Sequence, residues 1–354
     1  LCGPAPKLLR RYRQRRFALG NDAKTQRFIR CIGACSHRFP RRYRQLQVEP
    51  KVWNSRWVRC VWLRARLECT AMLTHPNFDP VALDLGGLRV HWYGLMYLLA
   101  FLMGWVLGTW RTRDSFRGWT RHDMDDVMIY VALGIIVGGR VGYVIFYVPG
   151  QFLDSPSVLF QVWQGGMSFH GGLLGTMAAM WLFARRRQWH FFKVADFIAP
   201  LVPLGLGAGR IGNFINGNLW GKPSEVPWAM VFPSPEAGPV SRHPSQLYEA
   251  ILEGLVLFLI LWLFSRRPRP LMAVSGLFLL GYGVFRFLVE YVRVPDAHIG
   301  YLAFDWFTMG HLLTLPMLAA GTVLIWWGYN KHQAPVFVER TKDGFGIEVE
   351  ASRP

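Results

Sequence analysis

From Leu95 onward the sequence alternates apolar runs with short polar loops. A helix needs about 20 mostly apolar residues to cross a bilayer core. Candidate spans fall at 91–110, 124–148, 168–184, 194–216, 246–264, 273–292 and 305–328. The third is short, and the fourth carries Pro200, Pro203 and several glycines. Broken helices are tolerated at membrane depth where they line a protein cavity. The predicted fold is therefore an all-α integral membrane protein of about seven transmembrane helices. Composition agrees: charged residues make up 18% of the chain, against about 25% in a soluble domain.

Lys and Arg set the orientation, because they favour cytoplasmic loops. Arg111, Arg113, Arg117 and Arg121 follow the first run. Arg185, Arg186, Arg187 and Lys193 follow the third, and Arg266, Arg267 and Arg269 the fifth. The loop at 149–167 has no Lys or Arg. The predicted topology has the N-terminus outside and the C-terminus cytoplasmic.

Residues 1–71 read differently. They hold 18 Lys and Arg against three acids, and all five cysteines of the chain. They show no hydrophobic period, signal-peptide core or span. Three readings compete: a basic disordered arm, a targeting segment, or sequence outside the native protein. A +15 segment would have to cross the membrane under the predicted topology, which favours the third reading and a functional start near Met72. The net charge of +18 would by itself point to nucleic acid. Its concentration in this segment removes that partner. Cys31 and Cys35 lack the second ligand pair that structural zinc requires. The domain prediction is thus 1–71 as an extension, 72–330 as the seven-span body, and 331–354 as a mobile cytoplasmic tail.

Ionisable groups at membrane depth are costly and usually face a cavity or a partner. His91, Arg140, His170, Asp196, Arg210, Arg286 and Glu290 all fall there. Asp196 reads as a structural residue near the cytoplasmic side. The others, with Arg242, His243 and Arg293, fall toward the outer half. Tyr282, Arg286 and Glu290 are spaced i, i+4, i+8 and share one helix face. The Gly- and Asn-rich stretch 205–221 surrounds Arg210. Such backbone admits an anion closely, and Arg supplies a bidentate phosphate partner. These residues point to an anionic headgroup reached from the bilayer. Plainer readings stand beside this one. Arg286–Glu290 can be a structural ion pair, Gly171-Gly172 a packing contact, His170 an interfacial residue, and Tyr93 part of an aromatic belt.

Five blocks carry a resemblance: His91-Trp92-Tyr93-Gly94-Leu95, Ser168-Phe169-His170-Gly171-Gly172, the stretch from Gly209 to Gly221, Arg242-His243-Pro244-Ser245-Gln246-Leu247-Tyr248-Glu249, and Gly281-Tyr282-Gly283-Val284-Phe285-Arg286. In kind and order they resemble the bacterial phosphatidylglycerol–prolipoprotein diacylglyceryl transferases. The resemblance implies seven spans in the bacterial inner membrane, with the site toward the outer face. It implies transfer of diacylglyceryl from phosphatidylglycerol to the lipobox cysteine of a prolipoprotein signal peptide, releasing glycerol phosphate. The nucleophilic sulfur is the substrate's, so a body without cysteine is no obstacle.

The implied catalytic set is His170, Arg210, Arg286 and Tyr282. The implied substrate-binding set is Arg210, Asn213, Tyr93, Gly221, Arg140 and Glu290. His170 resembles the essential histidine of the family, and an imidazole can take a thiol proton near neutral pH; alternatively it only orients the lipid. Arg210 and Arg286 would stabilise the leaving phosphate, which calls for no metal or cofactor. Asn218 departs from the family, many of whose members carry Glu there; Asn keeps the hydrogen-bonding shape without the charge. Two other functions compete. An anion transporter would be built on paired repeats, which the sequence lacks, and a non-catalytic lipid-binding scaffold would not need His170, Arg210 and Arg286 intact.

Overall fold

The computed structural model describes residues 73–87, 89–295 and 300–331, with the backbone of two strands in the tail. The expectations for residues 1–71 lie outside the described residues. Three short strands, β1 (Leu73–Thr74), β2 (Val81–Asp84) and β3 (Arg89–His91), lead into helix α1 (Trp92–Arg111). Then come α2 (Arg121–Tyr147), α3 (Pro149–Asp154), α4 (Phe169–Arg186), α5 (Phe191–Ile198) and α6 (Val202–Ile215). After strand β4 (Met230–Val231) come α7 (Ser245–Phe264) and α8 (Ala273–Glu290). A hairpin of β5 (Tyr301–Ala303) and β6 (Phe307–Thr308) precedes α9 (Met309–Asn330).

Among the described residues α1, α2, α7, α8 and α9 are long and apolar enough to cross a membrane. A sixth candidate, α5 with α6, is bent by 48°. The bend falls at Pro200, just before Pro203 in the first turn of α6, where proline cannot donate to the helix ladder. The expected span 168–184 is α4. It has 18 residues, but His170 stands near its start and Arg185 and Arg186 close it, so it falls short of the others in apolarity.

Only 11–39% of each long apolar window is buried within the protein. Leu98, Ile129, Phe146, Leu174, Leu313 and Trp326 are all more than half exposed. A soluble fold would not leave so much apolar surface open; here it is the lipid-facing side of a mostly helical membrane fold.

With little hydrophobic drive between helices in lipid, close backbone packing holds them together. Gly134, Gly138 and Gly142 of α2 face Gly171 and Gly175 of α4; a Cβ on Gly142 would lie 2.7 Å from Gly171 Cα. Gly254 of α7 meets Gly207 of α6, where a Cβ would lie 2.8 Å from Gly207 Cα. Gly321 of α9 meets Gly276 of α8 in the same way. Gly171 is thus a packing residue. Gly171→Val is expected to push α2 and α4 apart and cost about 1–3 kcal/mol. A thermal melt of the detergent-solubilised protein checks this, and an unchanged midpoint would contradict it.

The end of the bundle away from the site is closed by aromatic stacking and charge. Trp119 stacks on Phe197 at 3.9 Å. Asp123 closes a capping box with Thr120 at the start of α2 and pairs with Arg187 at 2.8 Å. Asp196 accepts the backbone N–H groups of Met272 and Ser275, each at 2.8 Å. It therefore caps the start of α8, the structural role expected of it. In the tail, β7 (Phe337–Arg340) and β8 (Gly346–Val349) pair as an antiparallel hairpin, Phe337 opposite Val349.

Candidate active site

The ends of α6, α7 and α8 and the start of α9 converge on a network of three arginines and three glutamates. The close approach at Gly207 and Gly254 lies one helical turn from Arg210. It brings α7 near enough for Arg210 Nε to lie 2.8 Å from Glu249 Oε2. Glu249 and Glu253 sit four residues apart on one face of α7, which passes into a π-helical stretch at Ala250–Val256. Such stretches recur at functional sites.

Glu249 has no exposed surface and is the hub. Its Oε1 accepts from Arg286 Nη1 at 2.9 Å and from Arg293 Nη1 at 2.5 Å. Arg286 Nη2 forms an ion pair with Glu290 Oε2 at 2.8 Å, and Arg293 Nε lies 3.4 Å from the same oxygen. Glu253 is held only loosely, 3.9 Å from Arg210 Nη2. Buried charges persist only when paired, and three positive groups here face three acidic ones. Burial would lower the Arg293 guanidinium, but Glu249, Glu290 and Glu253 together raise it above its ordinary value. Arg210 and Arg286 remain partly exposed, and each guanidinium carries five N–H donors. Their nearest approaches to carboxylates run through Nε and Nη2 of Arg210 and through Nη1 and Nη2 of Arg286, leaving donor capacity for an incoming anion.

The loop after α6 is fixed by the block that begins α7. Gly217, at φ +64°, closes α6 in the left-handed conformation that glycine tolerates. Ser245 donates to Leu219 O at 2.9 Å and Gln246 to Asn218 O at 2.5 Å. The same turn delivers Glu249 to the arginines. Gly221 runs between Val292 and His243, where a Cβ would meet backbone at 2.6 Å. Tyr248 receives a hydrogen bond from Trp228 at 2.6 Å and lies 3.1 Å from His243 Nδ1.

Sequence candidates divide into those the network gathers and those it does not. Arg210, Arg286 and Glu290 belong to it, and Tyr282 lies within electrostatic reach of Glu253, Arg286, Arg210 and Glu249. Tyr93 packs beside Gly212, and its hydroxyl lies 3.2 Å from that of Tyr97. Tyr97 in turn feels the charge of Arg210. Asn213 is buried on α6, and its carbonyl accepts from Asn218 N at 3.1 Å.

Arg140 is elsewhere and is occupied. It donates to Leu159 O at 3.3 Å, Gly166 O at 3.1 Å, Val158 O and Gly165 O. It holds the loop that leads to α4, and among the described residues no contact joins it to the other arginines. His170 is exposed on the first turn of α4, with Phe169 edge-on at 5.6 Å. Among the described residues it has no hydrogen-bond partner and no contact with the network. Asn218 exposes its side chain and uses its backbone to fix the loop.

Sequence reasoning missed the role of Glu249 and overlooked Glu253, Thr308 and His311. Two acids four residues apart in the apolar run 247–264 were a readable signal. Thr308 and His311 carried none, because a capping pair resembles many helix starts.

Fold and site together define a polytopic helical membrane protein with a buried arginine–glutamate centre at one end of its bundle. The model of the prolipoprotein diacylglyceryl transferase family matches residues 80–327. A phosphatidylglycerol–prolipoprotein diacylglyceryl transferase of Pseudomonas paraeruginosa is 57% identical over 263 residues, covering 74% of this chain and 98% of the relative. Proteins of the same name from Pseudomonas fluorescens and Pseudomonas putida are 56% and 57% identical, each covered over 97% of its length and matching 74% and 73% of this chain. The chain belongs to the prolipoprotein diacylglyceryl transferase family.

Proposed function

We propose that the chain transfers the sn-1,2-diacylglyceryl group of phosphatidylglycerol to the lipobox cysteine thiol of prolipoproteins. The observation that carries this is the arginine–glutamate network, partly open beside the Tyr93–Tyr97 pair, in a chain of this family. The protein spans the bacterial inner membrane seven times, counting α4 and the bent pair α5–α6. Its N-terminal end lies outside, its C-terminal end in the cytoplasm, and the site faces outward. The basic loops after the first, third and fifth spans support that orientation.

The phosphate of phosphatidylglycerol meets the unclaimed N–H groups of Arg210 and Arg286. Tyr93, Tyr282 and Asn213 hold the rest of the headgroup, against the backbone near Gly221. His170 takes the thiol proton; its exposure and lack of an internal partner suit a base that meets a substrate arriving from outside. The thiolate sulfur attacks the carbon of the diacylglyceryl unit that bears the phosphate oxygen. The C–S bond forms, the C–O bond breaks, and glycerol phosphate leaves with its charge held by the arginines. Arg140 acts on the same site indirectly, by holding the loop before His170, and Glu290 by holding Arg286.

Purified protein, phosphatidylglycerol and a lipobox peptide test this. The peptide should gain one diacylglyceryl unit for each glycerol phosphate released. A folded protein that binds the lipid and yields neither product would refute the proposal. Asn218→Glu should leave the rate within a few-fold, because the exposed Asn218 side chain has no partner among the described residues; a gain of orders of magnitude would show that a charge is needed there.

A further inference from the structure

We infer that Thr308 is a positioning residue for the transfer: its hydroxyl fixes Glu290 and, through Glu290, the guanidinium of Arg286. The inference rests on the reading of Arg210 and Arg286 as the phosphate-holding pair.

Glu290 is almost fully buried between α8 and the start of α9. Its Oε2 lies close to Arg286 and Arg293 but has no aligned hydrogen bond. Its Oε1 accepts the Thr308 hydroxyl at 2.8 Å. The arginines therefore supply attraction, and Thr308 supplies direction. An ionised carboxylate can only accept, and a hydrogen bond to it is the stronger kind. The Thr308 hydroxyl also lies 3.1 Å from His311 Nδ1, and its one proton goes to the nearer, charged acceptor, Glu290.

Thr308 is itself clamped. It is the N-cap of α9, and its N–H donates to His311 Nδ1 at 3.2 Å, while His311 N–H donates back to Thr308 Oγ1 at 3.4 Å. This is a capping box with histidine in the place usually held by Glu or Gln. With Nδ1 accepting, Nε2 carries the ring proton, and Nε2 is buried without a hydrogen-bond partner. Phe287 of α8 and Tyr291 just beyond its end stand edge-on to the ring at 4.6 and 4.9 Å. The imidazole serves through its shape and one nitrogen, holding the turn against α8.

A second feature of the same turn points the same way. A Cβ on Gly310 would collide with the Glu290 carboxylate. Thr308, Gly310 and His311 thus form a receptacle for one carboxylate: a hydroxyl to orient it, an absent side chain to admit it, and a wedged ring to hold both. Misplacing a catalytic group by about 1 Å can cost about 100-fold in rate, so a carboxylate that sets Arg286 needs such a receptacle.

The test compares Thr308→Val, Thr308→Ser, His311→Gln and His311→Leu in the full chain, with melting midpoints recorded for each. Thr308→Val removes the hydroxyl at nearly constant shape. Its kcat is expected to fall about tenfold, in line with a displacement of less than 1 Å, while the KM for lipobox peptide stays the same. Thr308→Ser should restore kcat to near wild type. His311→Gln keeps an acceptor for the N-cap N–H and should stay active, whereas His311→Leu should resemble Thr308→Val. A role in stability alone would move the midpoints and leave kcat unchanged. A folded Thr308→Val with wild-type kcat, beside an inactive Arg286→Ala, would overturn this inference alone. An Arg286→Ala enzyme of normal rate would overturn the underlying reading as well.

Discussion

Arg210→Ala is expected to lower the rate of glycerol phosphate release about 100- to 1,000-fold, the range seen when one preorganised charge-stabilising group is removed. The fold should survive. Glu249 keeps its hydrogen bonds to Arg286 and Arg293, and Arg210 is partly exposed, so its loss opens no large void. Glu253 loses its one ion-pair contact among the described residues. Arg210→Lys should recover only part of the rate, because an ammonium lacks the planar fork that grips two oxygens at once. Initial rates at saturating phosphatidylglycerol check the pair of variants. A loss under about threefold in Arg210→Ala, well below what such groups contribute, would remove Arg210 from the chemistry.

Glu249→Ala should be the most destabilising single change at the site. It abolishes the close contacts of Arg210, Arg286 and Arg293 with one fully buried carboxylate. Three guanidiniums would then share two acids, one of them the loosely held Glu253. Removing one partner of a buried ion pair typically costs about 3–5 kcal/mol. Glu249→Gln keeps the shape and one acceptor oxygen, but it loses the charge and turns an NH2 donor toward an arginine donor, so it should fall between wild type and Glu249→Ala. Melting midpoints in detergent distinguish these outcomes. A shift under about 2 °C, the equivalent of roughly 1 kcal/mol or less, would contradict the role of Glu249 as hub.

The apolar runs were legible because the bilayer demands long apolar helices and tolerates few alternatives. Pro200 and Pro203 announced the break between α5 and α6 in the same way. The short run at 168–184 was harder, since His170, Arg185 and Arg186 trim its apolarity from both ends. At the site, Arg210, Arg286 and Glu290 stood out as charges where charge is costly. Their partners were less visible. Glu249 sat at the end of a motif read for its arginine and histidine, and Glu253 lay deep in an apolar run. Whether an arginine is free or already paired depends on which helices touch, and spacing along one helix does not contain that. Arg140 shows the same limit: its position at membrane depth was readable, but the loop carbonyls that occupy it are about 20 residues away in sequence. Thr308 and His311 were silent because a capping box looks alike whether it only starts a helix or also holds a buried carboxylate.

The decisive measurement is equilibrium binding of a fluorescent phosphatidylglycerol to the protein in nanodiscs made of zwitterionic lipid. Unlabelled phosphatidylglycerol and diacylglycerol serve as competitors, with Arg210→Ala and Arg286→Ala alongside. If the arginines hold the headgroup phosphate, phosphatidylglycerol competes, diacylglycerol does not, and each variant loses at least about tenfold in affinity, the equivalent of one charge-assisted contact of about 1.4 kcal/mol. Equal competition by diacylglycerol, or unchanged affinity in both variants, would mean that the site recognises acyl chains and that the arginine–glutamate network is structural only.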